Sequence, residues 1–445
     1  MARMRRSTAL LAAAVALAAV AGCSTSADQA SSEAQAQAAA EAASANGSVK
    51  ATISFMEDMA AGAGKSTLAR LTVEFEQQNP GITVDLVEEP DAASLLAKET
   101  AAVRAGHAPT LGQVTEGSAA GFADRQQILP VSQYADSDLP LGLSSFYIGV
   151  QQDLRLADGQ LWMWPLGESV QLLYYNQALL SAKGLNPPVS WAEFAAEAKT
   201  LSGGGTTAIS VDPGSSASPQ GGQVLFALLA AAFGKPDFAA NGSPQLNSPA
   251  AVEALTYLSD LKRDGTLAVG SDDPGERALG SRKGVFDLGP ATGYAGEARA
   301  AGGAAALGTE LLPTGPDNEP GNVVSGTNLA MFAGSSAVQQ AAGWKYMQFL
   351  ASTPVQAEWS EATGFLPASP GALLQMGGYT AKNPWLTTAV AALQYASAAP
   401  AFPWVAKAQG AEAVAVAAVL EQGADPTVAL DAAQAAALAD QQAGQ

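Results

Sequence analysis

Carboxylates in strand-end positions, one histidine and one cysteine are the residues of this chain that could do chemistry. Glu57-Asp58, Glu88-Glu89, Glu116, Glu168 and Asp287 mostly lie at or near the ends of strand-like runs, where open α/β sheets gather ligands. A carboxylate so placed can accept two hydrogen bonds from neighbouring hydroxyls of a sugar. Two of them flanking a glycosidic bond would instead form the acid pair of an exported glycosidase. The residues alone leave both readings open, and any single acid is by default a solvated surface group. His107 is the only histidine, in Ala105-Gly106-His107-Ala108-Pro109. A Ser-His triad or a histidine zinc site needs partners that the chain lacks, so His107 reads as a solvated loop residue. No metal or cofactor is expected. Gly64-Lys65-Ser66-Thr67 is similar to the end of a phosphate-binding loop, but that motif needs a glycine where Met59 stands. It reads as a glycine-rich turn opening a helix, whose N-terminus could face a ligand.

The single cysteine, Cys23, follows Val20-Ala21-Gly22 at the end of a leader with Arg3, Arg5, Arg6 and the small, apolar run Ser7 to Ala21. That order predicts a signal peptide over residues 1–22 with a bacterial lipoprotein cleavage box, and Cys23 as the lipidated residue. The apolar run is too short for a bilayer span, which takes roughly 20 residues. Residues 23–48 are Ala, Ser, Gln and Glu with almost no large apolar side chain. They cannot bury enough surface to offset their ordering entropy and read as a tether. The expected address is extracytoplasmic, on the membrane through a lipid anchor. With 22 basic against 41 acidic residues, and three of the basic ones in the leader, the surface repels phosphate backbones, so nucleic acid is not an expected partner. Without a second cysteine there is no disulfide, and the fold must rest on its core. The remaining length exceeds one ordinary domain, and two lobes follow.

The elements that would position these groups alternate. Ala51 to Met56 reads as a strand and Lys65 to Gln78 as a helix, with Leu68, Leu71, Val73 and Phe75 near helical spacing. Asn79-Pro80-Gly81 is a break, and Ile82, Val84 and Leu86 alternate as a half-buried strand should. A helix over 92–105 and a strand over 110–115 continue this β-α-β pattern, which builds parallel sheets covered by helices. Residues 159–176 are rich in strand-favouring Trp, Leu, Val and Tyr. Helices at 191–201, 223–233 and 249–263, with strands at 207–211 and 284–288, describe a second α/β unit. Residues 322–332 read as a strand, 338–350 as a helix and the Ala-rich tail as closing helices. Among the aromatics, Trp162, Trp164, Tyr174, Tyr175, Trp385 and Trp404 sit near turns or strand ends. Core packing is the default for most, and Trp404, after Pro403, is favoured to stack on a ligand.

Several segments in order resemble the carbohydrate-type extracellular solute-binding proteins that serve ABC importers, most of all the glycerol-3-phosphate and glycerophosphodiester binders. They are ISFMEDMAAGAGKSTLARLTVEFEQQNPGITVDLV, AAVRAGHAPTLGQVTEGSAAGFADRQQILPV, DGQLWMWPLGESVQLLYYNQALLSAKGLNPPVSWAEF and WKYMQFLASTPVQAEWSEATGFLPASPGAL. The resemblance implies a two-lobed α/β periplasmic-binding-protein fold of the maltose-binding type, with hinge strands and a central cleft that closes over the ligand. One lobe would hold 49–167 with 328–363, the other 172–321 with 368–445. Hinge crossings would fall near 168–171, 323–327 and 364–367. It also implies a monomer without catalytic activity, partnered by the membrane subunits of an ABC permease.

By position, Glu116 matches a glutamate that contacts glycerol hydroxyls in the glycerophosphodiester binders. Ser169 or Glu168 matches a serine facing the ligand, and Gly326, flanked by Ser325 and Thr327, a glycine whose amide donates to it. With Glu57, Asp58, Asp287, Phe365 and Trp404 these are the candidate ligand-binding residues. Some positions depart from the family pattern. A family tyrosine is Phe365 here, and another is Ala92. Where a phosphate-binding arginine would lie, the segment AFPWVAKAQG offers only Lys407. Asp287 occupies a stretch that elsewhere offers hydroxyls to the phosphate, and a carboxylate there would repel it. The expected solute is a sugar, polyol or glycerophosphodiester-like molecule, neutral or with a cationic end, rather than glycerol-3-phosphate.

Overall fold

The computed structural model describes residues 49–59, 61–135, 142–214, 221–398 and 401–444. The leader, Cys23 and the tether lie outside the described residues.

Two mixed sheets organise the chain. The first contains β1 (Ala51–Glu57), β2 (Ile82–Glu88), β3 (Leu111–Val114), β4 (Ile128–Leu129), β5 (Trp164–Ser169), β11 (Val323–Phe332) and β12 (Ser397–Ala398), in the order β12-β11-β3-β1-β2, with β4 and β5 also on β11. The second contains β6 (Gln171–Asn176), β7 (Thr207–Val211), β8 (Leu267–Val269), β9 (Gly284–Pro290) and β10 (Leu307–Glu310), in the order β10-β6-β9-β7-β8. β1 runs parallel to β2 and β3, as the sequence pattern requires. Helix α1 (Gly62–Gln78) crosses between β1 and β2, and helix α2 (Ala92–Arg104) between β2 and β3. α1 buries Leu68, Leu71 and Phe75, but Val73 is exposed. The face instead continues through Thr67 and Thr72, whose hydroxyl bonds to the Leu68 carbonyl within the helix and to Tyr346.

The buried apolar side chains form two clusters. The first gathers Ile53, Phe55, Leu71, Phe75, Trp164, Trp344 and Tyr346; the second gathers Phe194, Ile209, Phe226, Leu258, Phe286, Val416 and Leu430. The helices at Trp191–Leu201 and Pro249–Arg263 have the bounds read from the sequence. Ser190 and Ser248 cap them by accepting from Glu193 N and Ala251 N, as N-cap serines do.

The chain's last fifth, expected from residue 368 on in the second lobe, reaches both groups of buried side chains. Residues 368–396 add Trp385, Leu386, Ala389, Val390 and Leu393 to the cluster that also holds Tyr174 of β6 and Leu307 of β10, and Trp385 stacks on Tyr294 at 4.5 Å, so the stretch touches both lobes. Backbone bonds from Tyr147 N to Ala368 O (3.0 Å) and from Gly149 N to Leu393 O (3.1 Å) fasten the stretch to residues 147–149. Only the helices Val405–Gln422 and Pro426–Gly444 join the second core. Pro384–Ala392 also packs on β10 of the second sheet, a long-range contact that composition does not encode.

Candidate functional site

Three crossings between the sheets lie side by side. β5 gives way to β6 through Val170 alone, and β11 pairs antiparallel with β5, setting Ser325 opposite Ser169, Gly326 opposite Glu168 and Thr327 opposite Gly167. On the other edge, Glu168 bridges to Leu366, whose N–H donates to the Glu168 carbonyl at 2.7 Å. Asn322 locks the pair by accepting from Gln171 N (2.9 Å) and donating to Gln171 O (2.8 Å). Two glycines make this approach possible. A Cβ at Gly326 would lie 2.3 Å from the Gly167 carbonyl oxygen, and one at Gly167 would lie 2.6 Å from Cγ of Phe365. The Phe365 ring therefore rests against bare backbone, and it stacks on Trp359 at 6.3 Å.

Behind the crossings is a buried carboxyl cluster. Glu116 opens helix α3 (Glu116–Asp124) just after β3, beneath a capping box formed by Thr115 and Ser118. Asp153 ends the short helix α4 (Ile148–Asp153), and Glu168 comes from β5. Asp153 and Glu168 are fully buried and Glu116 nearly so. Burial, with Glu116 beside it, pushes the Glu168 carboxyl up to about 8. Burial also raises Glu116, and lifts Asp153 well above its ordinary value with help from the other two carboxyls. Asn328 Nδ2 donates to Asp153 Oδ2 at 2.7 Å. Both Glu168 carboxyl oxygens, Asn328 Oδ1 and Ser169 Oγ have no protein partner, while the Glu116 and Asp153 carboxyls hydrogen-bond to each other. Buried polar atoms left without partners are costly unless something else engages them.

Next to this cluster a cavity of about 250 Å³ opens over the strand ends, with Asp58, Glu99, Gln113, Thr115, Ser118 and Thr327 in its wall. Asp58, after β1, accepts from Gln113 Nε2 at 2.5 Å, while its own N–H donates to Gln113 Oε1 at 3.1 Å. Burial raises the Asp58 carboxyl, against the pull of Gln113. Glu57 is buried and its carboxylate accepts from Met59 N; burial, with Glu88 and Asp58 nearby, still lifts it to about 7.

Of the sequence candidates, the structure gathers Glu57, Asp58, Glu116, Glu168, Ser169, Ser325, Gly326, Thr327 and Phe365 around the strand ends and crossings. Asp287 and Trp404 belong to the second lobe, apart from this group. Asp287 is half-buried on β9, opposite Tyr174 and over the Gly275 backbone. Burial, with Asp273 and Glu276 adding to it, raises it to about 6. Trp404 packs on Phe402 at 4.9 Å and donates to the Gly242 carbonyl at 3.4 Å, among second-core residues. Glu88 and Glu89 are engaged by Lys65 and Lys98. Trp164, Tyr174 and Trp385 are core, Trp162 donates to Asp158, and His107 is exposed. Asp153, Asn328, Gln113 and Glu99 were not anticipated. Glu99 had a signal: it lies one helical turn after Leu95, on the face of α2 that is buried. Asp153, three after Val150 in so short a helix, offered less.

A family model described as bacterial extracellular solute-binding protein matches residues 70–393, well over half of the chain. The chain belongs to that family. This solute-binding protein is 26% identical over 362 residues to the sn-glycerol-3-phosphate-binding periplasmic protein UgpB of Yersinia pestis, covering 76% of this chain and 80% of the relative. Among solved structures it is similar to UgpB from Mycobacterium tuberculosis in complex with glycerophosphocholine (TM-score 0.77, 20% identity, 88% of this chain and 99% of that one). It is also similar to the cyclic alpha-maltosyl-1,6-maltose binding protein from Arthrobacter globiformis (TM-score 0.76, 21% identity, 89% and 100%). These likenesses establish the two-lobed, maltose-binding-type α/β fold expected from the sequence. Among the described residues no helix is long and apolar enough to cross a membrane.

Proposed function

We propose that this protein is the solute-capturing component of an ABC importer, taking a sugar, polyol or glycerophosphodiester-like molecule into the cleft between its sheets and presenting it to a membrane permease. The observation that carries the reading is the junction itself. Three short crossings lie side by side next to a polar cavity and a set of buried polar atoms without protein partners. In this reading 49–167 with 328–363 form one lobe and 172–321 with 401–444 the other, and 368–398, beyond the third crossing, touches both. Rotation about the crossings closes the lobes, so that both supply hydrogen bonds to a solute shielded from water. Binding energy is thereby converted into a shape that a permease can recognise. Lipid on Cys23 would hold the lobes near the membrane and raise their effective concentration at the permease.

The ligand classes named for the relatives support the solute class, and Asp287 argues against a phosphate monoester in the second lobe. A thermal-shift screen over sugars, polyols, glycerophosphodiesters and sn-glycerol-3-phosphate tests this, since a ligand bound only by the folded state raises the melting temperature. A neutral or zwitterionic member should give the largest shift. Preference for glycerol-3-phosphate over every neutral member would overturn the solute assignment, and turnover of aryl glycosides would overturn the binding-protein reading.

A further inference from the structure

Glu99 is an acid on the inward face of a helix. It is 1% exposed, its Oε1 has no hydrogen-bond partner, and it lines the cavity over β1 and β3. The fold makes room for it: a Cβ on Gly112 would lie 2.1 Å from Glu99 Oε1 and 2.6 Å from the Phe332 ring, so any larger residue on β3 would expel the carboxyl. Asp58 borders the same cavity with one carboxylate oxygen held by Gln113. No lysine or arginine is in the cavity wall, which otherwise consists of Ala92, Ala93, Leu95, Leu96 and Val114 with the hydroxyls already named. Nearby cations are committed elsewhere, Lys65 to Glu88 and Lys98 to Glu89.

We propose that this cavity is the subsite for a protonated amine of the solute, held by Glu99 and Asp58, and that Glu99 is the residue that sets this specificity. The inference rests on reading the cleft as the solute site. A cation is favoured because the acids around the cavity are uncompensated. An ammonium bearing N–H is favoured over a quaternary one because an acceptor without a partner needs a donor, and no aromatic ring is in the wall to hold a trimethylammonium face. Burial, with Asp58 beside it, pushes Glu99 up to about 8, and an arriving ammonium replaces the proton that such a group would otherwise keep.

The test is calorimetric titration of the full mature chain with two matched pairs: glucamine against sorbitol, and glycerophosphoethanolamine against glycerophosphocholine. The amine member of at least one pair should bind about tenfold or more tightly than its counterpart, the worth of one charge-assisted hydrogen bond. Glu99→Gln should reduce that ratio between amine and counterpart to roughly twofold. Asp58→Asn, at the half-buried rim, provides the same reading should the first variant not fold. Equal or tighter binding of the counterparts, or a preference that survives both substitutions, overturns the subsite while leaving the solute-binding function standing. Absence of any response to all four probes and to the wider screen overturns both.

Discussion

Replacing Glu168 by glutamine tests the electrostatics of the crossing region most directly. Burial holds this carboxyl near 8, against an ordinary 4.5. A carboxyl raised on folding contributes stability that is intact below about pH 4.5 and is lost as pH rises through about 8, because the unfolded chain sheds the proton first. At about 1.4 kcal/mol per unit, the whole shift sets a ceiling of about 5 kcal/mol. Part of that belongs to Glu116 and Asp153, which titrate with Glu168. The glutamine side chain of Glu168→Gln cannot ionise, so the penalty for deprotonating this buried position disappears. The variant should therefore exceed the wild type by about 1–3 kcal/mol at pH 8.5 and by little at pH 5. Urea unfolding of the ligand-free protein across that range, followed by tryptophan fluorescence, reads the difference. A gain independent of pH, or a loss at both ends, would refute the argument that the cluster carries uncompensated charge.

Gly326→Ala should lower the unfolding free energy by about 1–3 kcal/mol and blunt the ligand response, because the methyl would meet backbone rather than a movable side chain; an unchanged urea midpoint contradicts this packing. Asp287→Asn should strengthen binding of sn-glycerol-3-phosphate, measured by titration at pH 7.5, by removing a carboxylate from the second lobe; no change would mean that β9 does not face the solute. Cys23→Ser should release the protein from the membrane fraction with ligand affinity intact, and loss of affinity would break the separation between anchor and cleft.

The sequence by itself carried the order of elements, since alternation along β2 and helical spacing in α1 are local physics. It also carried the family, because segments spread along the chain retain its pattern, and with it the candidate residues at strand ends. Val73 shows the limit of periodicity, where a threonine that can return its hydroxyl to the backbone took a buried position and the valine stayed outside. Only the tertiary structure decided which acids act together. Glu116, Asp153 and Glu168 are distant in sequence and meet because β5, β11 and the helix after β3 converge at the crossings. Likewise Glu99 is inward only because Gly112 leaves room beside it. Burial and charge coupling depend on what arrives from elsewhere in the chain, whereas propensity and spacing are fixed by neighbours.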